Sequence, residues 1–327
     1  MESIETSLGM KSDANPLLQL ADKVQEQIQR VVVGQHNMVE LLLAGLLADG
    51  HILIEGVPGV AKTLTAKLIS KLIRANFSRI QFTPDLMPSD VIGTSVFNPQ
   101  TASFQFKAGP VFSNMVLIDE INRAPAKTQA ALFEVMEERQ VTVDGHTYVL
   151  QPPFMVIATQ NPIEHEGTYR LPEAQLDRFM MKISVGYPSL EDEIKILQRQ
   201  STHPITELLH DIQPVIGPEE LAAARQQIRE IHVEPKLIEF IARIIWETRN
   251  DRSLYVGASP RASIALLQVS KAIGVLHGRN FVIPEDILTA VAPVLRHRIS
   301  LTPEREMEGV TPDDVLKELV SRLEIPR

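Results

Sequence analysis

The chain contains no cysteine, which excludes disulfides and thiol catalysis. It lacks a basic excess: 32 Lys and Arg face 41 Asp and Glu, a net charge of −9. A dominant nucleic-acid surface needs the opposite balance, although a local basic groove is compatible with this one. No apolar run approaches membrane-spanning length, and no N-terminal stretch resembles a signal peptide. The expectation is a cytoplasmic protein with no membrane insertion. The nine His residues are scattered without metal-ligand spacing. No repeat or low-complexity tract stands out. What is present is 327 residues, 44% hydrophobic. That suffices for a large core and, by length, for two domains.

The chain is organised around His51 to Thr63. Ile52, Leu53 and Ile54 form a short apolar run suited to a buried strand. A loop follows: Gly56, Val57, Pro58, Gly59, Val60, Ala61. Lys62 and Thr63 come next, then Leu64, Ala66, Leu68, Ile69 and Leu72 at helical spacing. Strand, small-residue loop, Lys-Thr, helix is the order of a phosphate-binding loop. Its amides and helix N-terminus face an anion. Lys62 would reach the β- and γ-phosphates, and Thr63 would ligate Mg2+. The strict pattern has glycine where Ala61 stands. Alanine accepts helical dihedrals but not φ > 0, so Ala61 is expected to be helix-like already. The alternative is an ordinary strand-to-helix turn with solvated Lys62 and Thr63.

Met115 to Ile118 runs directly into Asp119 and Glu120. Downstream of a phosphate loop, this suggests a second element. Asp119 would hold Mg2+ through water, and Glu120 would orient or deprotonate the attacking water. Adjacent acids at a sheet edge repel each other unless a cation compensates. A further apolar run, Phe154 to Thr159, ends in Gln160-Asn161-Pro162. Asn161 could sense the γ-phosphate or position water; an Asn-Pro turn is the alternative.

The remaining elements frame these motifs. Residues 1–14 are polar and expected to be frayed. Helices are expected from Pro16 and over His36 to Asp49. A strand is expected over Arg79 to Thr83, with Thr83 capping it or touching a site. Val96–Asn98 with Phe104–Lys107, and Val141–Val143 with Thr147–Val149 around Asp144-Gly145, read as β-hairpins. Thr128 to Arg139 is helical. Pro172 to Phe179 reads as a short helix ending in Arg178, and Met180 to Val185 as a fifth strand. From Leu190 on, strand patterns disappear and helical periodicity dominates. The expected division is an α/β part over 15–188 and an all-α part over 189–327.

Together these motifs resemble the AAA+ ATPase superfamily and, within it, the MoxR-type ATPases. The residues that carry the resemblance are GVPGVAKT at Gly56–Thr63, VLIDEINRAP at Val116–Pro125, ATQNP at Ala158–Pro162 and LPEAQLDRF at Leu171–Phe179. VVGQ at Val32–Gln35, GASPRAS at Gly257–Ser263 and the two hairpins also fit. An alanine before the Walker A lysine is familiar in that family. Arg170 departs from it, since proline is expected there.

The resemblance implies a P-loop NTPase-type parallel five-stranded sheet flanked by helices, with β-hairpin insertions and a smaller all-α lid domain. Lys62 and Thr63 become the Walker A pair, Asp119 and Glu120 the Walker B pair, and Asn161 the first sensor. Arg178 resembles an arginine finger acting on ATP held by a neighbouring subunit, or else is a surface ion-pair partner with Asp177 adjacent and Glu173 one turn earlier. Arg261 resembles a second sensor reaching from the lid to the γ-phosphate, or else a surface ion-pair partner. An arginine at a Ser-Pro helix start opposes the macrodipole unless an anion is nearby. Val33, Gly34 and Gln35 would pack near the adenine. The implied cofactors are ATP and Mg2+. The implied assembly is a homo-oligomer, by resemblance a ring of six. It would remodel client proteins, with a von Willebrand A domain protein as a possible partner. Two other classes stay open: a nucleic-acid motor or loader, which the acidic balance opposes, and a non-hydrolysing nucleotide switch, which Glu120 and Arg178 oppose.

Overall fold

A computed structural model describes residues 16–57, 59–161, 169, 171–202, 209 and 212–326. The frayed N-terminus expected over 1–14 lies outside these residues, as do Pro58, Pro162 and Arg170.

Two helices, α1 (Pro16–Val31) and α2 (His36–Leu47), lead into β1 (Ile52–Gly56), the phosphate loop and α3 (Lys62–Leu72). Next come β2 (Phe77–Gln81), α4 (Pro88–Ile92), the hairpin β3 (Gly93–Asn98) and β4 (Ser103–Ala108), and β5 (Met115–Asp119). Helix α5 (Ala126–Glu138), the hairpin β6 (Gln140–Val143) and β7 (His146–Val149), β8 (Met155–Gln160), α6 (Glu173–Leu176) and β9 (Met181–Val185) complete the α/β part. Five strands form one parallel sheet in the order β2-β5-β8-β1-β9. The carboxyl ends of β5, β8 and β1 are therefore neighbours, which brings Asp119, Asn161 and the phosphate loop to one edge.

The apolar runs alternate between two cores, as strands covered on both faces do. Ile52, Ile54, Met115, Leu117, Met155, Ile157, Met181 and Ile183 face one cluster; Leu53, Val116, Ile118, Val156 and Ala158 face the other. The first cluster continues through α1 and α2 into the C-terminal helices. Of the C-terminal helices, α8 (Pro218–Arg229), α9 (Pro235–Asn250), α10 (Pro260–Leu276), α11 (Pro284–Leu295) and the helix Pro312–Ser321 contribute to this cluster, while α7 (Leu190–Thr202), which precedes them, contributes none of its residues. Helices α8 to α11 each begin with proline, whose fixed φ and missing N–H suit the first helical turn. The C-terminal part thus packs on the sheet through a shared core.

Three expectations need correction. Strand β2 starts and ends two residues before Arg79–Thr83. Its ladder with β5 ends at the Gln81–Asp119 pair, and Thr83 closes a turn by accepting from Leu86 N–H at 3.1 Å. Helix α6 stops at Leu176, short of Arg178, because Arg298 grips the Asp177 carboxylate at 2.7 Å and Phe179 turns into the core. The C-terminal part also holds a small antiparallel ribbon, β10 (Leu254–Val256) with β11 (Ser300–Leu301). Both strands are too short to show periodicity. The two hairpins touch: Phe106 of β4 stacks on Tyr148 of β7, with centroids 4.2 Å apart.

Candidate active site

The carboxyl edge assembles around Asp119. Its side chain is buried, and its oxygens divide their partners. Oδ1 accepts from the Thr63 hydroxyl at 3.4 Å and from the Thr159 hydroxyl at 3.3 Å. Oδ2 accepts from Arg79 Nε at 2.6 Å. The Thr159 hydroxyl also accepts the Glu120 N–H at 3.1 Å, so one buried threonine ties both acids to β8. Glu120 Oε2 accepts from Gln81 Nε2 at 2.7 Å and pairs with Arg123 Nε at 3.0 Å. The positive charge that adjacent acids require is thus partly supplied by Arg79 and Arg123. The register explains why Gln81 is there: it lies opposite Asp119.

The phosphate loop lies across from these acids. Lys62 Nζ donates to the Gly56 carbonyl at 2.5 Å. Gly59 has φ 85° with open space around its α-carbon. Ala61 contradicts its expected helix-like conformation: it has φ 61° and ψ 17°. Left-handed alanine costs roughly 1–2 kcal/mol, and the loop tolerates it because Ala61 is the residue at which the chain turns into α3. Its methyl offers α3 no acceptor, so the first amides of that helix stay aimed at the loop. Glu120 (φ 58°) and Gln35 (φ 52°) are also left-handed, and such strain collects at ligand sites. Val57 and Leu64 pack partly buried against the first core, and Val60 is fully buried. They anchor a loop that leaves Gly59 exposed and Lys62 and Thr63 half-buried. Asn161, buried, follows β8 between the loop and the acids.

Val33, Gly34 and Gln35 join this edge to the C-terminal part. Gln35 Nε2 donates to the Gly186 carbonyl at 3.3 Å, and Gly34 lies so close to Asp192 that a Cβ would meet its carboxylate at 2.9 Å.

Arg178 and Arg261 lie elsewhere. Both pair with Glu137, at 4.0 Å and 2.6 Å. Glu137 lies in the last turn of α5, and the neighbouring Met136 carbonyl accepts from Nε2 of His51, the residue before β1. Met180, just before β9, donates to the His51 carbonyl at 2.8 Å. The two arginines therefore occupy the amino edge of the sheet, a strand length or about 15 Å from the carboxyl edge. The structure brings Lys62, Thr63, Asp119, Glu120 and Asn161 together and sets Arg178 and Arg261 apart. The anion that the Ser-Pro helix start called for is Glu137. Sequence reasoning missed Arg79, Gln81, Arg123, Glu137 and Thr159 as site residues. For Thr159 the signal was available: it is a polar residue inside an apolar strand run.

The comparisons agree with this geometry. Residues 51–181 match the model of the ATPase family associated with various cellular activities (AAA), and residues 246–319 match the AAA lid domain. Chaperone MoxR1 of Mycobacterium tuberculosis is 42% identical over 92% of this chain and 81% of its own. The chain belongs to the MoxR-type AAA+ ATPases. The chain is also similar to the uncharacterised YeaC of Bacillus subtilis, 46% identical over 98% of each chain. Protein MoxR of Paracoccus denitrificans is 31% identical over 84% of this chain and 87% of its own. A crystal structure of a candidate ATPase from Cytophaga hutchinsonii, 41% identical, superimposes with a TM-score of 0.87 over 95% of this chain and 96% of that one. The protein is thus an ATPase with a parallel five-stranded P-loop sheet and a helical lid.

Proposed function

We propose that the chain binds ATP with Mg2+ at the carboxyl edge, hydrolyses it at a site shared between copies, and uses the turnover for chaperone-like remodelling of client protein complexes. The observation that carries this reading is the split just described: the phosphate and acid groups converge at one edge while both arginines lie at the other. Lys62 and the amides of α3 bind the phosphates. Thr63 and Asp119 present hard oxygen donors on one side of the loop, a set that fits Mg2+ completed by phosphate oxygens and water. The ion there would neutralise charge on the β- and γ-phosphates. Glu120 accepts a proton from, or orients, the attacking water, with Asn161 beside it. Val33 to Gln35 and the Gly186 segment line the place for the adenine.

Arg178 and Arg261 then serve the nucleotide of an adjacent copy. An arginine finger contributes about 10³–10⁵ in rate, roughly 4–7 kcal/mol of barrier. An isolated chain would hydrolyse ATP slowly, and a closed ring, six copies by family likeness, would make every site complete. Domain limits of 15–188 and 189–327, client proteins and a von Willebrand A domain partner belong to the same proposal.

Mixing tests it. Glu120→Gln and Arg178→Ala should each be nearly inactive alone, because each spoils every site. Mixed together, some sites pair an intact Glu120 with a neighbour's intact Arg178, and turnover should return. Mixtures as inactive as the separate variants would refute the shared site.

A further inference from the structure

Helix α7 is inside out. It meets the body through polar groups: Arg199 Nη1 donates to the Arg30 carbonyl at 2.8 Å, and Asp192 lies against Gly34. Its apolar residues face outward. Leu190, Ile194 and Leu197 share one stripe at helical spacing, with Leu190 76% and Leu197 66% exposed. Tyr187, just before the helix, extends the stripe and is equally exposed. A polar face turned inward and an apolar face turned to water is the opposite of what a surface helix adopts by itself. A contiguous exposed apolar patch of this kind marks an interaction site.

Its position identifies the occupant. The helix begins beside Gly34 and Gly186, at the carboxyl edge where the nucleotide is proposed to bind. The groups that complete that site, Arg178 and Arg261, lie at the amino edge and reach it only from another copy. The amino-edge face carries its own exposed apolar residues. Ile264 follows Arg261 by one turn of α10 and is 63% exposed; Tyr255 of β10 is exposed as well. The charges also match. Glu191 and Glu193 are exposed on the first turn of α7, while Arg252 and Arg261 are exposed on the opposite face.

We infer that α7 docks through Leu190, Ile194 and Leu197 onto the Ile264–Tyr255 face of a second copy of this chain. This is a head-to-tail contact that brings the copy's Arg261 to the nucleotide. The inference rests on the shared-site reading and adds the surface that holds the copies in register.

The cysteine-free chain allows a direct test. Leu197→Cys and Ile264→Cys are prepared as separate variants, mixed with ATP, and treated with a short bismaleimide. Dimers containing one of each variant are expected. Leu197→Cys cross-linking to itself, or no cross-linking, would overturn the proposal. So would a Leu197→Cys thiol that is shielded in dilute full-length chain but reactive once residues 1–15 are removed, since the stripe would then be covered from within. In parallel, Leu190→Ser with Leu197→Ser should raise the protein concentration for half-maximal specific ATPase activity at least tenfold, with ATP binding to the dilute chain unchanged. An unchanged midpoint, with Glu120→Gln and Arg178→Ala still complementing, would remove the α7 contact and leave the shared site standing.

Discussion

Gln81 donates a hydrogen bond to the Glu120 carboxylate at 2.7 Å, from the end of a neighbouring strand. The same oxygen, Oε2, pairs with Arg123. A carboxylate tied twice through one oxygen must give up a partner before that oxygen accepts a proton from water. A hydrogen bond to a charged group is worth about 1.5–3 kcal/mol. Gln81→Leu should therefore raise basal ATP turnover several-fold at unchanged nucleotide affinity. Single-turnover hydrolysis checks this, and a fall in rate would show that Gln81 aligns Glu120 instead of restraining it.

Thr159 offers a different kind of test, because it acts on both acids from beneath. Thr159→Val keeps the shape and removes the hydroxyl. The Glu120 N–H then loses its acceptor, and Asp119 loses one donor. Leaving a buried amide unpaired costs about 1–3 kcal/mol, and this one is part-buried, so the lower end applies. Urea denaturation should show a loss of that size, and ATPase activity should fall as Asp119 and Glu120 lose their common support. Full activity in Thr159→Val would mean that the backbone alone holds the acids.

The phosphate loop, the paired acids and the five strands were legible because each is a local pattern: an apolar run followed by chemistry. That they join in one parallel sheet was implied by family likeness alone, and the strand order came only with the structure. Gln81 was not legible as a site residue, since its role arises from the register between β2 and β5, which no single stretch encodes; Thr159 stood out as a polar residue in an apolar run, but its ties to both acids arise from the pairing of β5 with β8. Ala61 was misread for a physical reason. Its dihedral preference argued for helix, but the demand of the turn into α3 overrode it. Arg261 was recognisable as a residue in need of an anion. That the anion in this chain is Glu137, at the far edge of the sheet, depends on how α5 and α10 pack.

Glu137 holds two arginines of like charge close together. Their mutual repulsion is offset by its carboxylate, which keeps both directed from one face. Glu137→Gln preserves the size and removes the charge. Arg178 and Arg261 should then lose their set positions. Turnover at saturating ATP is expected to fall about tenfold, the equivalent of roughly 1.4 kcal/mol. ATP binding should not change, because neither arginine belongs to the same chain's phosphate loop. Equilibrium binding of a fluorescent ATP analogue alongside steady-state kinetics separates the two. A weaker affinity with normal turnover would contradict the placement.

His51 makes the stability of this architecture depend on pH. It is buried beneath β1, where Nδ1 accepts the Val156 N–H at 2.9 Å and Nε2 donates to Met136. Burial, foremost, lowers its pKa from 6.5 to about 4, with Arg139 and Arg225 adding to the shift and the Met136 carbonyl and Asp49 opposing it. His297, buried against the Phe179 carbonyl, is lowered in the same direction by desolvation and by Arg298. The unfolded chain takes up a proton on His51 near pH 6.5 while the folded chain does not until about pH 4. Stability contributed by neutral His51 is therefore complete above pH 6.5 and declines as pH falls toward 4, by about 3 kcal/mol in all. Below that the loss levels off, since both states are protonated. Denaturation midpoints measured across this range should fall with acidity. His51→Gln should be less stable at pH 7 yet show a shallower decline, with His297 among the groups that supply the residual slope. An equal slope in wild type and His51→Gln would mean that His51 does not titrate between the two states.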